Sequence, residues 1–250
     1  MVIKHIVIPG GGSNFPILIG AIQKLNKEKF WQYKDIKTIH GTSCGSLVGL
    51  MILLQLNWDD LNDYLIERPW KGLFELTPEM LMSAYTNKGI IGLDHLKKAM
   101  EPIFKAKDID IDITFKELYE LTKIEFYVYV TNFNDMILEI FNHKTKPDLS
   151  IMKAINMSAS LPPVVSPVIM DDILYVDGGL LANNPIKQAI EYLDDDASSD
   201  EILGFEIQYP ENSYTNITEE SNILEYMSQL LSKLADRSDP TSLRYGGPPK

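Results

Sequence analysis

Residues Ile39 to Ser46 read IHGTSCGS. A strand-like run, IKTIH from Ile36 to His40, overlaps its start, and the apolar run LVGLMILLQL, Leu47 to Leu56, comes after it. A strand that becomes a helix within two or three residues has to turn sharply. Gly41 and Gly45, on either side of Ser43, keep such a turn free of clashes. The serine is then held out at the C-terminal edge of a sheet and at the N-terminus of a helix, where the helix dipole favours a developing negative charge. Gly-x-Ser-x-Gly in this setting makes Ser43 a candidate nucleophile. The competing reading is a helix N-cap serine, with the glycines serving close packing.

Working outward, the same order of elements occurs once before. His5 to Ile8 reads as a short buried strand, and IPGGGSNF (Ile8 to Phe15) ends it with three consecutive glycines. Ile17, Leu18, Ala21, Ile22 and Leu25 then recur at helical spacing. Strand, glycine turn, helix, repeated twice in 56 residues, predicts a parallel sheet with crossover helices. Further on, Trp58–Ile66, Pro78–Tyr85, Leu93–Lys105 and Phe115–Leu121 read as helices, the last with Thr114 as N-cap. EFYVYVTNF and MILEIFN form a hairpin around Asn134 and Asp135. Leu149–Ala159 is helical, ILYVDGG is a strand ending at Gly178, Pro185–Tyr192 is a helix, Glu201–Gln208 a late strand and Ile217–Leu234 a closing helix. The fold class expected is α/β, a three-layer α/β/α arrangement around a mainly parallel sheet. One catalytic domain is expected over residues 1–210, a helix within 211–235 packed on it, and a flexible tail over 236–250.

Composition narrows the function. The 250-residue chain carries a formal net charge of −12, which argues against a nucleic-acid partner, because phosphates demand a basic face. For the same reason, contact with lipid would have to be apolar. The single cysteine, Cys44, forbids an internal disulfide and a cysteine-based zinc cluster. The Leu47–Leu56 run is about half of what a bilayer span needs. A cytoplasmic protein without a transmembrane segment is expected, with peripheral membrane contact allowed.

A serine hydroxyl needs a base. Of the four histidines, His5 and His40 fall in expected strands and His95 on a helix. His143, after a strand in a polar turn, is the serious histidine candidate, and Asp135 would be its acid. The other candidate is Asp177 in YVDGGLLANNP (Tyr175 to Pro185), which ends an apolar strand before Gly178 and Gly179. This looks like the strand-edge geometry expected at Ser43. The carboxylate can accept a serine proton if desolvation raises its proton affinity. The plainer reading is a turn-forming Asp-Gly. The amides of Gly10, Gly11 and Gly12 could then converge on the oxyanion of an acyl-transfer intermediate, with no Cβ in the way. A phosphate-binding loop fits less well. The G-x-G-x-x-G spacing fails at Phe15, and no Walker lysine follows.

Together, IPGGG, GTSCGS and YVDGG resemble, in order and context, the patatin-like phospholipase family. INMSASLPPVVSPV (Ile155 to Val168) and NNP (Asn183 to Pro185) are similar to further segments of that family. The resemblance implies a Ser43–Asp177 dyad without histidine and an oxyanion loop at Gly10–Gly12. It also implies a lipid ester substrate cleaved in the phospholipase A manner through an acyl-serine, with no metal or cofactor. Asn14 and Phe15 depart from the basic residue and glycine that the family commonly has there, which bears on substrate choice and rate. Trp70, Leu73, Phe74, Met80, Leu81, Met82 and Tyr85 could cap an acyl groove or be ordinary core helices. The alternatives are a soluble esterase or thioesterase, and an inactive lipid-binding or scaffolding protein with Phe15 closing the loop.

Overall fold

The computed structural model describes residues 2–73, 77–193, 198–208 and 217–221, together with 226, 229, 230 and 233. Strand β1 (His5–Ile8) leads through the glycines into α1 (Phe15–Lys27), and β2 (Thr38–Thr42) leads into α2 (Cys44–Leu53). Five helices follow: α3 (Trp58–Glu67), α4 (Trp70–Leu73), α5 (Pro78–Asn87), α6 (Leu93–Ala106) and α7 (Phe115–Thr122). The last begins at the expected cap, where Thr114 and Glu117 bond each other's backbone amides. β3 (Glu125–Asn132) and β4 (Ile137–Phe141) form the expected hairpin. Then come α8 (Ile151–Ser158), β5 (Val168–Met170), β6 (Ile173–Asp177), α9 (Gly179–Ala182), α10 (Ile186–Glu191) and β7 (Ile202–Gly204). The late strand is three residues long rather than eight. Of the expected closing helix, residues 217–221 are described and form a turn rather than a helix, while 226, 229, 230 and 233 are helical; the expected tail lies outside the described residues.

Strands β7, β1, β2 and β3 run parallel and in that order, as the repeated strand–helix pattern predicts. The far side of the sheet is antiparallel. β4 pairs with β3 over residues 128–132, while β2 pairs with it over 125–129 and β6 over 130–132. A strand has two edges, and β4 occupies one of them throughout its length. β2 and β6 must therefore share the other, β2 ending at Thr42 opposite Tyr129 and β6 ending at Asp177 opposite Val130. The two strands meet head to head.

This corrects the strand-edge geometry expected at Asp177. Its strand comes from the opposite direction to that of Ser43, because β6 reverses out of β5 through Asp171 and Asp172, both at positive φ. The short β5 was not legible in advance.

Alternation along the strands builds three layers. Ile6, Ile8, Ile39, Phe126, Val128 and Val130 belong to the main core, against which α2 and α7 pack through Gly49 and Phe115. The other face carries His5, Thr38, His40, Tyr127 and Tyr129, and α10 covers it through Ile186 beside Gly204, with Tyr192 just past the helix against Tyr127. The apolar run after Ser43 is α2 itself, buried over nearly all its length. Burial on every side explains why it shows no amphipathic stripe.

Candidate active site

Ser43 stands between β2 and α2 with φ 52° and ψ −128°. A non-glycine residue rarely adopts this backbone, and it is held only where its surroundings enforce it. The enforcement is visible. The Ser43 amide donates to Ser158 Oγ at 2.8 Å, and its carbonyl accepts from Ser46 Oγ at 2.5 Å. A Cβ on Gly45 would stand 2.4 Å from the Ile8 carbonyl oxygen, so that glycine lets the start of α2 lie against the end of β1. The sharp turn expected at this sequence is present.

Head-to-head strands bring the second residue within reach. Ser43 Oγ donates to Asp177 Oδ2 at 2.7 Å, and the Gly179 amide donates to Oδ1 at 2.7 Å. The aspartate backbone is also fixed. Its amide donates to the Ser160 carbonyl at 2.9 Å, and its carbonyl accepts from Thr131 Oγ1 at 2.9 Å. Ser43 and Asp177 are both buried. Burial raises the Asp177 pKa from 3.8 to about 6, against the opposing pull of its bonds from Ser43 and Gly179. A carboxylate whose proton affinity is raised toward neutrality while it holds a serine hydroxyl can act as a general base.

The glycine loop divides. Gly10 abuts Ser43, but its amide donates to the Asn183 carbonyl at 2.9 Å. The expectation that Gly10 offers an oxyanion donor is therefore corrected: its amide ties the loop to the turn after α9. Gly11 and Gly12 present their amides to the Cys44 sulfur, and burial together with the Asp177 charge pushes that thiol up to about 12. Gly12 is at φ +53°, with open space where a Cβ would be. Phe15 opens α1 and packs against the core, so it does not fill the loop.

The histidines stand elsewhere. His40 has Thr38 Oγ1 and the Tyr129 hydroxyl on its two ring nitrogens, at 3.0 and 2.8 Å, and burial with His5 nearby lowers its pKa to about 3. His5 faces Thr38, and His95 faces the Gly92 amide at the start of α6. His143 stacks on Tyr119 with 3.8 Å between centroids and lies near Glu125. Glu125 is the first residue of β3, five residues and roughly 16 Å along the strand from Val130, which lies opposite Asp177.

Among the cap candidates, Trp70 packs on α3, edge-on to Tyr64 and with its indole donating to Leu65. Met82 and Tyr85 are exposed. Phe74 and the Leu81 side chain lie outside the described residues. Among the described residues no acidic, histidine or cysteine cluster could hold a metal ion, and no helix is long and apolar enough to cross a membrane. Sequence reasoning missed Thr131, Asn183 and Ser158 as members of the site. Asn183 carried a signal, since NNP had been singled out without a role.

The family described as patatin-like phospholipase matches residues 6–190. That range takes in the glycine loop, the Ser43 turn, the Asp177 turn and the stretch after it. This chain belongs to the patatin-like phospholipase family. A protein of Invertebrate iridescent virus 6 named probable lipid hydrolase 463L is 29% identical over 195 residues, covering 76% of this chain and 64% of its own. Uncharacterized protein R571 of Acanthamoeba polyphaga mimivirus is 27% identical over 252 residues, covering 94% of this chain and 82% of its own. Among solved structures, VipD of Legionella pneumophila superposes with a TM-score of 0.55 at 18% identity, over 80% of this chain and 49% of that one. ExoU of Pseudomonas aeruginosa, solved in complex with SpcU, gives 0.50 at 14%, over 94% and 52%. The chain thus spans just under two thirds of the iridescent-virus relative and about half of each bacterial one. These likenesses carry the patatin-like fold, which among the described residues is a seven-stranded mixed sheet flanked by helices.

Proposed function

We propose that this patatin-like protein is a lipid acyl hydrolase of the phospholipase A type, working through a Ser43–Asp177 dyad and an acyl-serine. The carrying observation is the 2.7 Å bond from Ser43 Oγ to a buried Asp177 carboxyl whose pKa is raised to about 6.

Asp177 takes the Ser43 proton as Oγ attacks the ester carbonyl. The carbonyl oxygen, now an oxyanion, is met by the amides of Gly11 and Gly12, which lie next to Cys44, the residue after the nucleophile. Each such donor is worth roughly 3 kcal/mol of barrier. Asp177 returns the proton to the departing alcohol, which leaves an acyl group on Ser43. Water, deprotonated by Asp177, then releases the fatty acid and restores the serine. The family and the lipid-hydrolase name of the iridescent-virus relative support a lipid ester as substrate. With a net charge of −12, contact with the lipid surface would be made by apolar side chains.

The test is hydrolysis of a panel of phospholipids and neutral acyl esters by wild type beside Ser43→Ala, with products identified by mass. Free fatty acid and the matching lysolipid from wild type alone are expected. The same products from both proteins, or none from wild type across the panel, would overturn the reading.

A further inference from the structure

Where β2 and β6 meet, one hydrogen bond of the sheet is replaced. The Glu125 amide donates to the Lys37 carbonyl at 2.9 Å, and with Thr38 opposite Glu125 this sets the phase of the β2–β3 ladder. Carried to its end, where Thr42 lies opposite Tyr129, that phase assigns the Tyr129 carbonyl to the Ser43 amide. The two do not bond. The Ser43 amide donates to Ser158 Oγ at 2.8 Å, and the same hydroxyl donates to the Tyr129 carbonyl at 2.6 Å. Ser158 is the last residue of α8 and fully buried. Its own carbonyl accepts the Gly178 amide at 3.2 Å, and Ser160, two residues on, accepts the Asp177 amide. The end of α8 therefore grips the backbone of both halves of the dyad, and Ser158 does so with side chain and main chain at once.

We infer that Ser158 is a positioning residue for Ser43, its hydroxyl inserted into the ladder bond that would otherwise hold Ser43 in the strand. The inference rests on the proposed Ser43–Asp177 chemistry. With the hydroxyl in place, both groups of the missing bond are satisfied while the backbone turns to φ 52°, the conformation in which Oγ reaches Asp177. Without it, two outcomes are open to the chain. The amide and carbonyl stay buried and unpaired, which is costly, or they close directly and draw Ser43 back into the extended strand. Either one takes Oγ away from Asp177. Neither alters the surface that meets the acyl chain, so the effect belongs in kcat and not in KM.

The experiment is steady-state ester hydrolysis by Ser158→Ala, with active sites counted by exhaustive labelling with a fluorophosphonate. Counting removes any loss due to a smaller folded fraction. A fall of ten- to a hundredfold in kcat per labelled site, with KM within threefold of wild type, is expected. Wild-type kcat per labelled site would overturn the inference, as would a rise in KM that accounts for the whole loss. Should the alanine chain fail to fold, Ser158→Cys keeps the volume but bridges the same two groups with a longer and weaker bond, and the same two results decide. The failure of the underlying reading looks different. Wild type itself would then neither hydrolyse esters nor label at Ser43, and this inference would fall with it.

Discussion

The turn after β2 and the turn after β6 look alike as sequence and differ as structure. Each follows an apolar strand, each carries its candidate catalytic side chain at the strand's end, and each is flanked by small residues. At Ser43 the strain is in the residue itself, at φ 52°, and a parallel strand delivers it. At Asp177 the turn is relaxed, with Gly178 in ordinary right-handed geometry, and the strand runs the other way. The lesson is that strand direction, and not the local motif, sets which two ends meet. Had β6 run parallel to its neighbours, its C-terminus would have pointed the same way as that of β2. The two ends would then have been side by side, not face to face across one hydrogen bond.

The largest expected contrast is chemical. Ser43→Ala and Asp177→Asn should each lower kcat/KM for ester hydrolysis by about 10³-fold or more, because the pair acts as a unit. A variant of either residue that kept a tenth of the activity would break the comparison at its centre.

The next contrast is steric. A Cβ on Gly178 would stand 2.2 Å from the Tyr129 carbonyl oxygen, and one on Gly45 2.4 Å from that of Ile8. Both neighbours are backbone, so Gly178→Ala and Gly45→Ala should each destabilise by about 3 kcal/mol, read by urea unfolding. Gly12→Ala meets open space and only the penalty of a positive φ, so about 1 kcal/mol is expected there. Equal costs at the three glycines would mean that the turns are looser than drawn.

The aspartate side of the comparison also has a pH dependence. The Asp177 pKa is about 6 in the folded chain against an ordinary 3.8. Between those values the folded state binds more protons than the unfolded state. Stability from this group therefore falls as pH rises from about 4 to about 6 and stays at the lower level above. The difference corresponds to about 3 kcal/mol. Asp177→Asn should thus be more stable than wild type at pH 7 by up to about that amount, the gap closing below pH 4, as thermal or urea unfolding across the range would read. Activity should move in the opposite sense, rising with pH through about 6 as the base ionises. A wild type more stable than Asp177→Asn at neutral pH would show that the carboxylate is not held at a cost. The smallest expected effect is at His143, stacked on Tyr119 well away from the dyad. His143→Ala should keep kcat/KM within about twofold, whereas a large loss from a folded protein would bring the histidine triad back.

The parallel half of the fold was legible because its information is local. Four-residue apolar strands, glycine turns and a helical repeat each declare themselves within a dozen residues. The turns that carry Ser43 and Asp177 were legible as candidates for the same reason, and the structure brings the two side chains together. The direction of β6 was not, because it depends on the reversal through β5, Asp171 and Asp172, and a strand of three residues is too short to declare itself as a separate element. Nor could sequence say that the Gly10 amide is taken by the Asn183 carbonyl, a contact between positions 173 residues apart. Ser158 was hidden differently. It sat inside a segment already singled out, but a serine at a helix end reads as an ordinary helix terminus until the ladder it interrupts is known.

The account's central claim, that Asp177 activates Ser43 across one short hydrogen bond, is tested most directly by the rate at which a fluorophosphonate modifies wild type and Asp177→Asn at pH 7.5, with the modified peptide located by mass spectrometry. The predicted result is a single adduct on Ser43, formed at least a hundredfold more slowly in the folded asparagine variant. An adduct on another serine, or equal rates in the two proteins, would contradict it.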